Sequence, residues 1–474
     1  MTSPARRLLA GILTLALAAA LPLAAAGQLP APEKIVLKNG LAVYVLRNAD
    51  QPLVSVRVLF GGAGTAFDPA GSEGTAGLAA ALLTKGAGDL DADGLAEALD
   101  LMGASLGFSA AEEYAQLAGD SLAEHFPRLL EIAAACLTSP AFAPAEFDKE
   151  RSLRIDAIKS AKDNPGAAVR YYFQKAYFGD HPMGHLASGT EASLAGMTVG
   201  TVRDFHRGRY RPDRAVAAVV GDIDKAKLRP LLERTLGRMT RPSGPAPAAG
   251  LPALPRPNGR RLLLVDKPDA TQSYFSLGAP GYAMGDPVSA AASAMNTLFG
   301  GRFTSWLNTE LRIKRGLTYG ASSTFRSWAG GGLFTVGSYT KNDKIGEMLD
   351  IVFDLLGKGV REGFPAEETE SGRNYILGQF PRSLETNASK AAAYVRLAFY
   401  RRGFDEYDRY LAEIGRLDPA ALKAAAAKLL PQDDLVLVGR NCGRFPMRVP
   451  GLDQCVAELA AGLDKRPISD LPDQ

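Results

Sequence analysis

Histidine is scarce in this chain, with four in 474 residues, alongside three cysteines and two tryptophans. Imidazole and thiolate are the usual zinc ligands, and imidazole is the commonest general base, so the scarcity limits the chemistry on offer. There is no His-Glu-x-x-His and no Gly-x-Ser-x-Gly turn to present a serine nucleophile. His181 and His185 have the i, i+4 spacing that suits zinc on a helix, but Pro182 and Gly184 between them predict a loop. His125 falls in a helix predicted over 121–136, and His206 stands alone in Asp-Phe-His-Arg. Gly61-Gly62-Ala63-Gly64 lacks the Gly-Lys-Ser/Thr ending of a phosphate loop, which argues against a nucleotide role. Charge of one sign is also lacking: 54 basic residues against 51 acidic ones leave +3, with no basic run interleaved with aromatics, and no nucleic-acid partner is expected.

Long apolar runs are missing except at the start. Arg6 and Arg7 precede an apolar stretch from Leu8 to Leu23, and Ala24-Ala25-Ala26 follows before Gly27. That order predicts a signal peptide over 1–26 and an exported, periplasmic protein. No later stretch approaches the roughly 20 apolar residues of a membrane span, so no stable membrane span is expected. Cys136 lies in an apolar run and is expected to be a buried thiol. Cys442 and Cys455 sit close enough in the tail for a short disulfide loop, and their pairing stays open.

What is present is ordinary globular composition, 46% hydrophobic and 22% charged, in a chain too long for one core. Strands at 35–37 and 41–46 flank the hairpin signal Asn39-Gly40, and a strand at 53–60 follows. Helical periodicity covers 73–84, 92–102, 121–136 and 145–160, and an apolar strand at 215–220 closes the half. Six prolines between Arg241 and Gly259 mark a linker over 241–259. Beyond it, strands at 261–265 and 272–278, a helix at 287–298 and a strand at 435–438 repeat the plan. Pro-Ala-Glu at Pro144 recurs at Pro365, 221 residues on, and Val220-Gly221 recurs as Val438-Gly439, 218 residues on. The expected fold is α+β: two tandem α/β domains, 27–240 and 260–441, each a mixed, mainly antiparallel sheet with helices on one face, followed by a tail over 442–474.

The run Gly74-Thr75-Ala76-Gly77-Leu78-Ala79-Ala80-Ala81-Leu82-Leu83-Thr84-Lys85-Gly86-Ala87 resembles a segment of the pitrilysin/insulinase metallopeptidases, the inverzincins. Active members carry His-x-x-Glu-His there, two imidazoles on one helix face for zinc and a Glu to activate bound water. Gly77, Ala80 and Ala81 occupy those positions. The third family ligand, a Glu on a later helix, aligns with Ala157, with Asp156 one residue away. The resemblance extends through Val36-Leu37-Lys38-Asn39-Gly40-Leu41, Phe67-Asp68-Pro69-Ala70-Gly71, His181-Pro182-Met183-Gly184-His185, Gly189-Thr190-Glu191 and Arg211-Pro212-Asp213, and covers nearly all of 33–440.

In the second half, Leu311-Arg312-Ile313-Lys314-Arg315-Gly316-Leu317-Thr318-Tyr319-Gly320 resembles the family segment whose Arg and Tyr, seven residues apart, reach across a clamshell to the zinc site of another half. The resemblance assigns Arg312 and Tyr319 to holding the substrate carbonyl and its oxyanion, with Arg315 the competitor of wrong spacing. Gly300 and Gly301 are a candidate substrate-contacting loop, against the plainer reading of a helix-ending turn. It implies half of a clamshell that binds no zinc itself, partnered by a zinc-bearing homologous peptidase subunit and acting on peptides. Heterodimeric bacterial members and the mitochondrial processing peptidase divide their labour this way. Rival expectations are a structural scaffold and a chaperone-like protein that binds peptides along a strand edge; an autonomous metallopeptidase is the weakest.

Overall fold

Asn39-Gly40 turns the chain as its sequence predicts. Gly40 adopts φ +92°, and the Asn39 side chain accepts from the Leu41 amide at 3.1 Å, so β1 (Glu33–Val36) folds back on β2 (Ala42–Arg47). This computed structural model describes residues 29–241, 250–265 and 270–440. The predicted signal segment, residues 242–249 of the proline-rich linker, and Cys442 and Cys455 lie outside those residues.

The first half continues with β3 (Leu53–Gly61), α1 (Thr75–Leu82), α2 (Ala92–Leu101), β4 (Ser105–Ala110) and β5 (Tyr114–Leu122). Then come α3 (Phe126–Thr138), α4 (Pro144–Asp163), α5 (Pro165–Phe178), α6 (Glu191–Gly196), α7 (Val199–Arg209), β6 (Ala215–Gly221) and α8 (Lys225–Arg234). The second half comprises β7 (Arg260–Val265), β8 (Gln272–Pro280), α9 (Ser289–Asn296), β9 (Ser322–Trp328) and β10 (Gly331–Lys341). It ends with α10 (Ile345–Arg361), α11 (Ala366–Gln379), α12 (Asn387–Phe399), α13 (Glu406–Arg416), α14 (Pro419–Leu429) and β11 (Leu435–Arg440).

The strands form two sheets, in the orders β1-β2-β6-β3-β5-β4 and β7-β11-β8-β10-β9. Apart from β1 the two orders match strand for strand. In each, the only parallel pair joins the half's last strand to its neighbour, β6 to β2 and β11 to β7. The expected α+β class with two mixed, mainly antiparallel sheets is therefore what the chain adopts. One predicted element is corrected. The helix expected over 121–136 begins only at Phe126, because β5 runs to Leu122 and pairs with β3 from Leu53↔Leu122 to Gly61↔Tyr114. His125 is thus the residue that precedes α3. Cys136 is buried in the core as expected, and burial pushes its thiol up to about 12.

Both faces of the central strands are buried, which explains why they read as largely apolar runs; Ser55 and Arg57, the polar exceptions in β3, bond to Asp120. Along β3, Val54, Val56, Val58 and Phe60 join the core of their own half, whereas Leu59 points to the other face. Ala217 and Val219 of β6 share that core, and Val216, Ala218 and Val220 face away. The second face is covered by α12, a helix of the second half, through Ala391, Tyr394, Val395 and Leu397. The exchange is reciprocal: α5 of the first half lays Val169, Phe173 and Tyr177 against Val265 and Val436 of the second sheet. Each exchanged helix seats an aromatic ring on a glycine. A Cβ at Gly61 would lie 3.1 Å from the Phe399 ring, and one at Gly278 would lie 2.1 Å from Phe173.

Polar contacts lock the same junction. Glu113, in the β4–β5 turn, accepts from the Ala329 amide at 3.1 Å and from the Tyr400 hydroxyl at 2.7 Å. Its neighbour Glu112 pairs with Arg326. Gly278→Ala should therefore lower stability by about 1–3 kcal/mol by overpacking against Phe173. Calorimetry should show part of that loss recovered in Gly278→Ala/Phe173→Leu.

Candidate functional site

Helix α1 starts at Gly74, which takes φ +93° and has no side chain to cap it. Asp68 supplies the acceptors instead: Oδ2 receives the Gly74 amide at 2.8 Å and Oδ1 the Ala76 amide at 2.7 Å. Burial outweighs these two donors and lifts the Asp68 carboxyl to about 7. Glu73, just before the helix, is held by Lys175 of α5 at 2.8 Å, and its carbonyl accepts from Ser193 Oγ at 2.8 Å.

Gly77, Ala80 and Ala81, which the resemblance matches to the family's His-x-x-Glu-His, lie on this helix. Gly77 meets the loop 185–189 so closely that a Cβ there would sit 2.3 Å from the Ala187 carbonyl oxygen. Gly74 and Gly189 face each other in the same contact, a Cβ at Gly74 falling 2.7 Å from Gly189 Cα. Ala80 is buried and Ala81 half-buried. Ala157 and Asp156 are exposed on α4.

Arg154, which the sequence comparison with the family passes over, occupies the space between these elements. Its Nη2 donates to the Gly77 carbonyl at 2.8 Å and its Nη1 to the Ala187 carbonyl at 3.1 Å, tying α4 to α1 and to the loop. Burial lowers its pKa, with Glu150 and Asp68 acting in the opposite direction. The signal that could have found it is its position three residues before Ala157, on the adjacent turn of one helix.

These residues do not fit a zinc ion. Gly77, Ala80, Ala81 and Ala157 carry no donor atom, and a guanidinium at the same place repels a dication. Among the described residues no group of three or more His, Cys, Asp and Glu side chains could hold a metal. His181 and His185 flank the short turn Pro182–Gly184, off any α-helix. His181 Nδ1 accepts from the Met183 amide at 3.1 Å, and His185 Nδ1 lies 3.2 Å from the Thr65 carbonyl.

The second half presents a different surface. Arg312 lies in the π-helical segment Asn308–Lys314, half-buried, with its guanidinium over the Phe303 ring at 4.7 Å from the centroid. Arg315 is instead paired with Glu310. Gly316, at φ +60°, ends the segment. Beyond it the backbone is pinned: Thr340 donates to the Leu317 carbonyl at 2.6 Å, and Thr318 Oγ1 accepts from the Gly320 amide at 3.1 Å. Tyr319 projects from this fixed backbone 79% exposed, and Phe303 and Ile313 are exposed as well. Gly300 and Gly301 close the helical segment Thr297–Gly301 and do not form a loop. Gly300 packs so that a Cβ would fall 2.4 Å from Ser323 Oγ.

Two tandem sheets of one strand order, joined by exchanged helices, with a helix bearing inverted-motif positions in the first half, define the class as a duplicated peptidase fold. A family model described as "Insulinase (Peptidase family M16)" matches residues 43–191, and one described as "Peptidase M16 inactive domain" matches residues 196–376. The chain belongs to the M16 (insulinase/pitrilysin) peptidase family. The words "inactive domain" attach here to a model that matches mostly the second half. An uncharacterized zinc protease of Mycobacterium tuberculosis is 28% identical over 404 residues, 84% of this chain and 91% of that protein. Another, from Bacillus subtilis, is 23% identical over 87% of this chain and 99% of its own length. Among solved structures, a peptidase M16 inactive domain from Pseudomonas fluorescens superposes with a TM-score of 0.81 at 23% identity, covering 92% of this chain and 99% of that one.

Two outcomes are expected. Restoring the donors alone, with Gly77→His, Ala80→Glu, Ala81→His and Ala157→Glu, should leave zinc substoichiometric by metal analysis after dialysis, because the loop 185–189 and Arg154 remain in place. For Asp68, the raised folded value means that the unfolded chain releases this proton first. Its stabilising share is full below about 4 and is lost as pH rises through about 7. The stability of wild type relative to Asp68→Asn should fall over that window by up to about 4 kcal/mol, measured by urea unfolding at several pH values.

Proposed function

We propose that this chain is the metal-free subunit of an exported, periplasmic zinc metalloendopeptidase, inactive alone and paired with a zinc-bearing homologue. The observation that carries the reading is the Arg154 bridge to Gly77 and Ala187, which puts a side-chain cation and a backbone loop where the family's ligands would stand. The second half meanwhile keeps Arg312 and Tyr319 on an exposed, backbone-pinned surface. Selective loss of the metal donors beside a preserved pair of hydrogen-bond donors fits a division of labour.

In this role Arg312 and Tyr319 donate to the carbonyl oxygen of a peptide in the partner's site, and to the negative charge that develops there during hydrolysis. Zinc and the general base belong to the partner. The Phe303 ring orients the guanidinium, and Arg315 is spent on Glu310. Co-expression with a zinc-bearing homologue provides the test. Arg312→Ala and Tyr319→Phe should each lower turnover of a peptide substrate by about 100-fold, the scale of losing an oxyanion donor. Melting temperatures should stay unchanged, and full turnover in both variants would remove the proposed role.

A second reading, a peptide-binding protein with no proteolytic role, is favoured by β9, the outer strand of the second sheet. Its outer edge lies next to Tyr319-Gly320 in sequence and, between the Ser323 and Trp328 carbonyls that Asn296 and Met284 already occupy, offers main-chain groups to an extended peptide. Peptide binding by the isolated chain, with no gain in hydrolysis when a zinc-bearing homologue is added, would select this reading.

A further inference from the structure

A cavity of about 870 Å³ lies between the end of α3, helix α7 and the segment 238–241. Leu137, Phe142 and Met239 give it a buried apolar floor. Two polar atoms of lining residues, His206 Nε2 and Tyr210 Oη, are buried without a hydrogen-bond partner among the described residues. The two rings pack with centroids 4.9 Å apart, and Phe142 closes on His206 at 5.4 Å. His206 also hydrogen-bonds to the backbone of Leu137, and burial pushes it down to about 4, so the imidazole is neutral and its bare Nε2 is an acceptor. The Tyr210 hydroxyl is a donor.

The rim is cationic. Arg203, Arg207, Arg238 and Arg241 line the cavity, and among the described residues no carboxylate does. Arg207 has only an exposed pairing with Asp204 at 3.5 Å, and Arg241 shares Asp213 with Arg211. Arg203 donates to the Phe142 carbonyl at 3.0 Å. The rim therefore asks for an anion and the floor for an apolar group.

We propose that this cavity binds a small carboxylate with an apolar side chain, the chemistry shared by an N-acylated apolar amino acid and the last residue of a peptide. The carboxylate lies among the guanidinium groups, which match its geometry. The side chain covers Leu137 and Met239. The site stands independently of the subunit reading, since none of its residues belongs to the Arg312 and Tyr319 surface.

Calorimetric titration of the full chain at low salt tests it with N-acetyl-L-leucine, the uncharged N-acetyl-L-leucinamide and the tripeptide Ala-Ala-Leu. The acid should saturate one site and bind at least about tenfold more tightly than the amide, the worth of one charge-assisted contact. Arg207→Ala/Arg238→Ala, two exposed positions, should weaken the acid by about tenfold or more while leaving the amide and the melting temperature unchanged. Tighter binding of the tripeptide than of the acetylated amino acid identifies a peptide end as the source, and equal binding identifies the free acid. Equal affinity for acid and amide, an unaffected double variant, or no saturable binding of either acid or tripeptide would overturn the proposal.

Discussion

Each sheet of this protein has two apolar faces, and the helices of its own half can cover only one. Burial of the second face by a helix lent from the other half is the constraint from which the rest follows. The α12 helix covers β3 and β6, and α5 covers β8 and β11. Phe399 and Phe173 reach the strands because Gly61 and Gly278 leave room for a ring. Neither half can present a finished surface alone, so the two are expected to fold as one cooperative unit.

The exchange also sets the geometry near the altered motif. To reach the second sheet, α5 leaves α4 at the Asn164-Pro165 junction, and the chain must then return through 179–190 to the first half. That return path lays Ala187 against Gly77 and Gly189 against Gly74. Arg154 then fastens the contact by donating to two backbone carbonyls. Charge-assisted bonds of this kind are strong enough to repay part of the cost of burying a guanidinium, and Glu150 and Asp68 supply opposite charge nearby. A cation still joins α1 and α4, but it is held by carbonyl oxygens and not by imidazole and carboxylate.

Much of the fold was legible because burial writes itself into periodicity. The run at 215–220 is apolar at every position and that at 53–60 at all but Ser55 and Arg57, since both faces are covered, and Asn39-Gly40 marks a turn that only a positive φ can make. The β4–β5 hairpin was not legible. Ser105–Ala110 and Tyr114–Leu122 contain no Val, Ile or Thr, so local propensity is silent and pairing with β3 decides the conformation. The same strand pairing moved the start of α3 from 121 to Phe126.

By itself, the sequence determined which atoms could and could not take part in chemistry: Gly77, Ala80, Ala81 and Ala157 have no metal-donor atoms, whatever their arrangement, and Arg312 and Tyr319 carry hydrogen-bond donors. Donor capacity is a property of a side chain, so composition at a motif is enough to read it. Only the tertiary structure decided what fills the space those residues left. Arg154, Ala187 and Gly77 are distant in the chain and meet through the path of an exchanged helix. The same holds for the apolar floor at Leu137, Phe142 and Met239, which meets a rim of arginines drawn from two separate segments. Contacts of that kind depend on long-range packing, which no local pattern encodes.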